Sequence, residues 1–227
     1  MIAVFGGTFD PPHLGHAEAI QGVFEDPGCE RLWVLPSGNP VGKTPSLSAQ
    51  KRLELAHLAF DDLKTQGPLE VLDLEVRWAE QHTGEISTTW KILPELERRA
   101  QGESLAWVIG TDQLLSLERW DRFPEVLTRI HWIVLERAGL TSQGGEPDAI
   151  QKLLGRWQSE GLLKAGGKPD RGGRAGFTNL RLASTRARAV SSTQIRESFA
   201  RTGKPPEGVL DPRVAAHLKL HALYGSA

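Results

Sequence analysis

Two hydrophobic rhythms alternate along the chain. Ile2 to Phe5 is a short apolar run closed by Gly6-Gly7, and Arg31 to Pro36, with Leu-Trp-Val-Leu inside, is a second. Runs of this length bounded by glycine or proline predict buried strands. Leu69 to Val76 alternates well enough to predict a third, and Leu105–Ile109 and Ile130–Leu135 predict two more, separated by a helical region. Elsewhere the spacing lengthens to the helical repeat. One helix is predicted from about His16 to Phe24. Another is capped by Ser48 and runs through Leu63, with Leu53, Ala56, Leu58 and Ala59 near helical spacing. A third spans about Thr88 to Arg99, with Pro94 marking a kink or a boundary. Strands alternating with helices predict an α/β protein with a doubly wound, mostly parallel sheet. Ligands of such sheets bind beyond the carboxyl ends of the strands, where the chain order reverses.

The rhythm breaks between Gly139 and Gly176. Thr141 to Pro147 is turn-rich, Asp148 to Glu160 predicts a short amphipathic helix, and Ala165 to Gly176 holds five glycines among basic residues, which predicts a mobile loop. Asn179 to Ala183 resumes a strand and Ser191 opens a helix. Because no linker separates two cores, residues 1–227 are expected to form a single domain with 139–176 as a partly flexible insertion. A net charge of −1 points to neither a nucleic-acid nor a membrane partner, so any anion site must be local. Cys29 is the only cysteine, which fits a reducing cytosol. The initial apolar run is too short for a signal peptide, and no run approaches the roughly 20 apolar residues of a membrane span. A cytoplasmic protein is expected.

The candidate chemistry begins directly after the first predicted strand, in Gly6-Gly7-Thr8-Phe9-Asp10-Pro11-Pro12-His13-Leu14-Gly15-His16. Gly6 and Gly7 would let the backbone turn sharply and approach a ligand. His13 and His16 flank Gly15 near a helix start, where unpaired N–H groups and the helix dipole favour a triphosphate. A histidine there can donate to phosphoryl oxygens as charge builds on departing pyrophosphate. The run resembles the HxGH signature of the nucleotidyltransferase superfamily, in its G-G-T-F-D-P-x-H-x-G-H form. The resemblance implies a Rossmann-like nucleotidyltransferase fold and an ATP site that includes Gly6, Gly7, Thr8, Phe9 and Gly15, with His13 and His16 catalytic.

Near the other end stand Val190-Ser191-Ser192-Thr193-Gln194-Ile195-Arg196. Ser191 and Gln194 have capping-box spacing, so a helix is predicted to start here, with Arg196 close enough to its first turn to reach a phosphate. The segment resembles the superfamily's I-S-S-T-x-I-R motif. That resemblance implies that Ser191, Ser192, Thr193 and Arg196 close the ATP site and hold the β- and γ-phosphates.

Three further segments bear on the second substrate. Ile109-Gly110-Thr111-Asp112 follows a predicted strand; Gly110 permits close approach, Asp112 can accept from ribose hydroxyls, and Trp120 offers a stacking face. With Leu114-Leu115, these resemble the I-G-x-D-x-L…W segment of bacterial nicotinate-mononucleotide adenylyltransferases. Pro36 to Lys43 resembles that family's P-x-G-N-P-P-H-K loop, Arg52 occupies the place of the Arg in its next helix, and His131 to Arg137 resembles its strand ending in Arg. Val41-Gly42 replaces the usual Pro-His, Ala138-Gly139 the usual Pro-Gly, and Ile86-Ser87-Thr88 the usual S-Y-T. The resemblance implies acceptor contacts from Asn39, Lys43, Thr88, Trp120 and Arg137, with Gly110 and Asp112 on the nucleotide.

The expected reaction transfers AMP from ATP to nicotinate mononucleotide, in NAD biosynthesis. ATP and a pyridine mononucleotide are its partners, and Mg²⁺ bridges the phosphates without a named protein ligand. No Cys/His zinc pattern is present. The alternatives are an adenylyltransferase acting on nicotinamide mononucleotide or phosphopantetheine, a catalytically idle nucleotide sensor, and a nucleic-acid binder using the Gly/Arg loop. The phosphopantetheine type is usually shorter and lacks the Gly110…Trp120 segment.

Overall fold

In the computed structural model, residues 1–25, 28–137, 146–167 and 176–225 are described. The strands in chain order are β1 (Ile2–Gly7), β2 (Arg31–Pro36), β3 (Leu69–Val71), β4 (Leu105–Gly110), β5 (His131–Arg137), β6 (Ala165–Gly167), β7 (Gly176–Phe177) and β8 (Leu180–Thr185). The helices are α1 (Leu14–Phe24), α2 (Ala49–Phe60), α3 (Leu74–Gln81), α4 (Thr89–Ala100), α5 (Thr111–Ser116), α6 (Glu125–Arg129), α7 (Glu146–Ser159), α8 (Ser192–Thr202) and α9 (Pro212–Leu220). Six strands form one sheet in the order β3-β2-β1-β4-β5-β8, and every pairing in it is parallel.

This order explains the uninterrupted apolar runs. Alternate residues of each strand point to opposite faces, and both faces are covered. Ile2, Val4, Trp33, Leu35, Trp107, Ile109, Trp132 and Val134 pack on one side with α4 and α7. Ala3, Phe5, Leu32, Val34, Ala106, Val108 and Ile133 pack on the other with α1, α2, α8 and α9. The chain order reverses between β1 and β4, so the crevice for a ligand opens where Gly6-Gly7 and Gly110 end adjacent strands.

Four local expectations change. The strand predicted over Leu69–Val76 stops at Val71, opposite Val34 on β2, and Asp73 begins α3. Leu74, Glu75 and Val76 are all buried, the pattern of a helix pressed between layers and not of a half-exposed strand. Pro94 neither ends nor begins α4 but lies inside it; burial of Ile92, Leu93, Leu96 and Ala100 offsets the lost backbone bond. The first helix starts at Leu14, two residues before His16, because His13 takes the cap position. The two ends of the Ala165–Gly176 segment pair as β6 and β7 in a small antiparallel sheet. Residues 168–175 of that predicted loop, and 138–145 of the turn-rich stretch, lie outside the described residues. α7 begins at Glu146, with Pro147 in its first turn, where a missing N–H costs nothing. Among the described residues, no helix is long and apolar enough to cross a membrane.

Candidate active site

Gly6 and Gly7 stay in β1, and the chain reverses instead at Phe9, whose φ of 52° is left-handed. The expected sharp turn at the glycines is therefore corrected. Gly7 makes room: a Cβ there would lie 2.6 Å from the Phe9 ring. That ring is 1% exposed and packs edge-on to Phe60 and to His16 at 5.3 and 5.0 Å between centroids. Burial of the aromatic side chain holds a backbone conformation that a bulky residue otherwise avoids.

His13 caps α1 with extended backbone, and its N–H donates to Nδ1 of His16 at 3.2 Å. This bond makes Nδ1 the acceptor and leaves Nε2 as the N–H end of the His16 ring. The two imidazoles stack at 3.6 Å between centroids with an 18° tilt. Both are thus fixed at the first turn of α1. Gly15 is required by close approach: a Cβ there would stand 2.9 Å from the Arg188 carbonyl oxygen.

At α8 the predicted capping box is present, with Ser191 Oγ accepting from Gln194 N–H at 3.2 Å and Gln194 Oε1 accepting from Ser191 N–H at 3.3 Å. Ser192 Oγ donates to the Pro11 carbonyl at 2.9 Å. Arg196 Nη1 donates to the Asp10 carbonyl at 2.7 Å, while its Nη2 donates to Thr193 Oγ1 at 3.3 Å. Two segments 181 positions apart are thereby clasped over the ends of β1 and α1. Asp10 itself is buried. Its Oδ2 accepts from Ser46 N–H at 2.7 Å and its Oδ1 from the Tyr224 hydroxyl at 2.5 Å.

On the neighbouring strand Gly110 caps α5, and its N–H donates to Gln113 Oε1 at 3.2 Å. The Asp112 carboxylate folds back so far that a Cβ on Gly110 would lie 2.5 Å from Oδ1. Glycine is what lets an acidic side chain stand at the end of β4.

The 36–40 loop is sewn to the segment before α4. Asn39 Nδ2 donates to the Glu85 carbonyl at 2.7 Å, and Asn39 N–H donates to Ser87 Oγ at 3.0 Å. Ser87 N–H returns a bond to the Asn39 carbonyl at 3.0 Å. Beneath them Glu75 Oε1 accepts from Ser87 Oγ at 2.6 Å and from Gly38 N–H at 3.1 Å. Burial pushes the Glu75 carboxyl up to about 7, against the opposing pull of those two donors and of Arg52. Thr88 caps α4 and its Oγ1 donates to Asp121 Oδ2 at 2.7 Å, bringing the helix start beside Trp120, whose ring packs edge-on to Trp132. Lys43 stands exposed in the stretch 41–44, and Arg137 ends β5 opposite Thr185.

Arg52 joins the two halves. It is 1% exposed, and its Nη1, Nη2 and Nε donate to the carbonyls of Thr8, Gly38 and Leu47 at 2.8, 2.8 and 3.3 Å. Burial lowers its pKa, with Asp10 and Glu75 opposing; a guanidinium still remains charged.

Residues 4–198 match the cytidylyltransferase-like family. Over 224 residues the chain is 30% identical to a probable nicotinate-nucleotide adenylyltransferase of Serratia proteamaculans, covering 98% of this chain and 94% of the other. It is 32% identical over 227 residues to the Pseudomonas fluorescens protein of the same description, covering 98% and 96%. The chain belongs to the nicotinate-nucleotide adenylyltransferase family. Its fold is likewise that of the Plasmodium falciparum nicotinic acid mononucleotide adenylyltransferase complexed with NaAD, at a TM-score of 0.69, 14% identity and coverage of 98% and 96%.

Within a nicotinate-nucleotide adenylyltransferase framework, the substitution of Ser for the aromatic of the S-Y-T segment has a physical counterpart here. Ser87 is buried, and its hydroxyl lies between Glu75 and Asn39. Glu75 is hidden in the sequence because the alternation over Leu69–Val76 predicts a strand; on a helix it falls among inward positions. Asp10 was seen only as part of a motif, and Tyr224, the chain's one tyrosine, gave no signal at all.

Proposed function

We propose that this chain transfers the AMP part of ATP to the 5′-phosphate of nicotinate mononucleotide, giving nicotinate adenine dinucleotide and pyrophosphate. The observation that carries the reading is the clasp of Ser192 and Arg196 onto Pro11 and Asp10, which brings the start of α8 to the turn that leads into His13 and His16. In this reading, the first turn of α1 and the His16 Nε2–H face the reacting phosphate. Arg196, with Ser191, Ser192 and Thr193, holds the β- and γ-phosphates. Gly6, Gly7, Thr8, Phe9 and Gly15 shape the floor, and Gly110 with Asp112 takes the ribose.

The acceptor phosphate attacks the α-phosphorus in line; one P–O bond forms as the bond to pyrophosphate breaks. The nucleophile is already an anion, so alignment and charge stabilisation suffice and no general base is needed. Magnesium enters as Mg-ATP. The Asp10 carboxylate already accepts from Ser46 and Tyr224. The single Cys29 supports a cytoplasmic setting.

Asn39, Lys43, Thr88, Trp120 and Arg137 form the acceptor side in this reading, with Trp120 stacking on the pyridine ring. The start of α4 offers N–H donors that suit a carboxylate and meet an amide N–H poorly, so nicotinate mononucleotide is preferred over the nicotinamide form. The expected preference is roughly 10²-fold in kcat/KM at saturating Mg-ATP. Product masses after incubation with Mg-ATP and each mononucleotide, followed by kcat/KM for both, test it. Equal values reject the nicotinate preference, and no dinucleotide from either rejects the reaction.

A further inference from the structure

Asp10 Oδ2 stands 3.9 Å from Arg196 Nη1, a loose ion pair beyond hydrogen-bond reach. That nitrogen instead bonds the Asp10 carbonyl at 2.7 Å. Two donors keep the carboxylate occupied: the Ser46 N–H on Oδ2 at 2.7 Å and the Tyr224 hydroxyl on Oδ1 at 2.5 Å. Tyr224 lies in the turn after α9, with a φ of 60°, and its ring packs 6.0 Å from that of Phe199 on α8. The tyrosine thus touches both the helix that carries Arg196 and the turn that Arg196 clasps. Burial, then the bond to Asp10, raises the phenol above its usual range, so the hydroxyl remains a donor.

We propose that Tyr224 is a positioning residue for ATP: by occupying Asp10 Oδ1 it keeps the buried carboxylate's hold on Arg196 to the loose 3.9 Å pair, and so leaves the guanidinium turned to the phosphates. This rests on the adenylyltransferase reading and adds to it a residue that touches neither substrate. Without the hydroxyl, Oδ1 becomes a buried acceptor lacking this donor, and Arg196, already loosely paired with Oδ2 of the same carboxylate, is the cation drawn further in; Arg52 is held by three carbonyls. The corner would then neutralise itself, at the expense of the nucleotide.

Tyr224→Phe tests this, because it keeps the ring against Phe199 and removes only the oxygen. Affinity for a non-hydrolysable ATP analogue, measured by titration calorimetry, should fall about tenfold, the scale of one hydrogen bond to a charged group. The KM of the pyridine mononucleotide should stay within about twofold, and the melting temperature within about 4 °C. In an Arg196→Ala background, adding Tyr224→Phe should change analogue affinity by less than about twofold, since the residue acts through Arg196. Unchanged analogue affinity in Tyr224→Phe would overturn the proposal, because a packing role alone survives that substitution. So would full multiplication of the two effects. A wild-type chain that bound no ATP analogue would overturn the adenylyltransferase reading together with this one, whereas tight wild-type binding with an indifferent variant would overturn only this one.

Discussion

His16 shows how one hydrogen bond assigns a role to a side chain. With Nδ1 accepting the His13 N–H, the ring's proton sits on Nε2, which is therefore its donor. Replacing His16 with Ala should lower kcat by roughly 10²-fold, the usual effect of losing one oriented transition-state donor. The fold should persist, as Phe9 keeps its contact with Phe60. Steady-state turnover with a melting curve checks both, and near-normal turnover would remove His16 from the chemistry. Glu75 gives a prediction of another kind. Its folded value of about 7 lies above the usual 4.5, so the folded state holds a proton that the unfolded chain has released. Its stabilising contribution is complete below the unfolded value and is lost as pH rises through the folded one. Glu75→Gln retains an oxygen for Ser87 and Gly38 but cannot ionise. Wild type should therefore lose on the order of 2 kcal/mol relative to Glu75→Gln between pH 5 and 8. Unfolding curves for both across that range measure the gap, and a constant gap rejects the assignment.

At the scale of the element, α4 links capping to the proposed acceptor side. Thr88 Oγ1 accepts from Lys91 N–H at 3.4 Å and donates to Asp121 at 2.7 Å. Thr88→Ala should cost about 1 kcal/mol of stability. It should also raise the acceptor KM while leaving the ATP KM unchanged, because the bond it breaks positions the turn that carries Trp120. A rise confined to ATP would show that this helix start serves the other substrate. The same scale explains what the sequence could reveal. Central strands are buried on both faces and announce themselves as apolar runs, and the Ser48 and Ser191 caps follow from side-chain chemistry alone. β3 has three residues and its chain turns directly into α3, too little length for one period to outweigh the other. Pro94 reads as a breaker because local preference is visible and the burial that overrides it is not. β6 and β7 pair across a glycine-rich segment whose composition alone suggests a loop.

The whole molecule is organised by where the strand order reverses. The motif positions were legible because they sit at strand ends and helix starts. Their mutual contacts were not, since Asp10, Arg196 and Tyr224 meet only after the chain has folded back across 214 positions. Arg52 shows the same limit: the sequence marks it as a matching residue, and only the fold reveals three carbonyls around it. Arg52→Lys keeps the charge but replaces a planar fork with a single ammonium that cannot span Thr8 and Gly38 together. A loss of about 2 kcal/mol or more is expected in chemical denaturation, and a stability equal to wild type would mean the fork is dispensable. A clip that grips only carbonyl oxygens is indifferent to the identity of the residues it grips. Gly38 is fixed by close approach, since a Cβ there would lie 2.3 Å from the Glu75 carbonyl oxygen, and Asn39 by its bond to the Glu85 carbonyl, but the exposed side chain of Val41 is free to drift provided the main-chain path is kept. Val41-Gly42 can therefore stand where the resembling loop motif has Pro-His without unfastening the loop, and in the proposed reading the acceptor side can be retuned there while the frame that holds it stays the same.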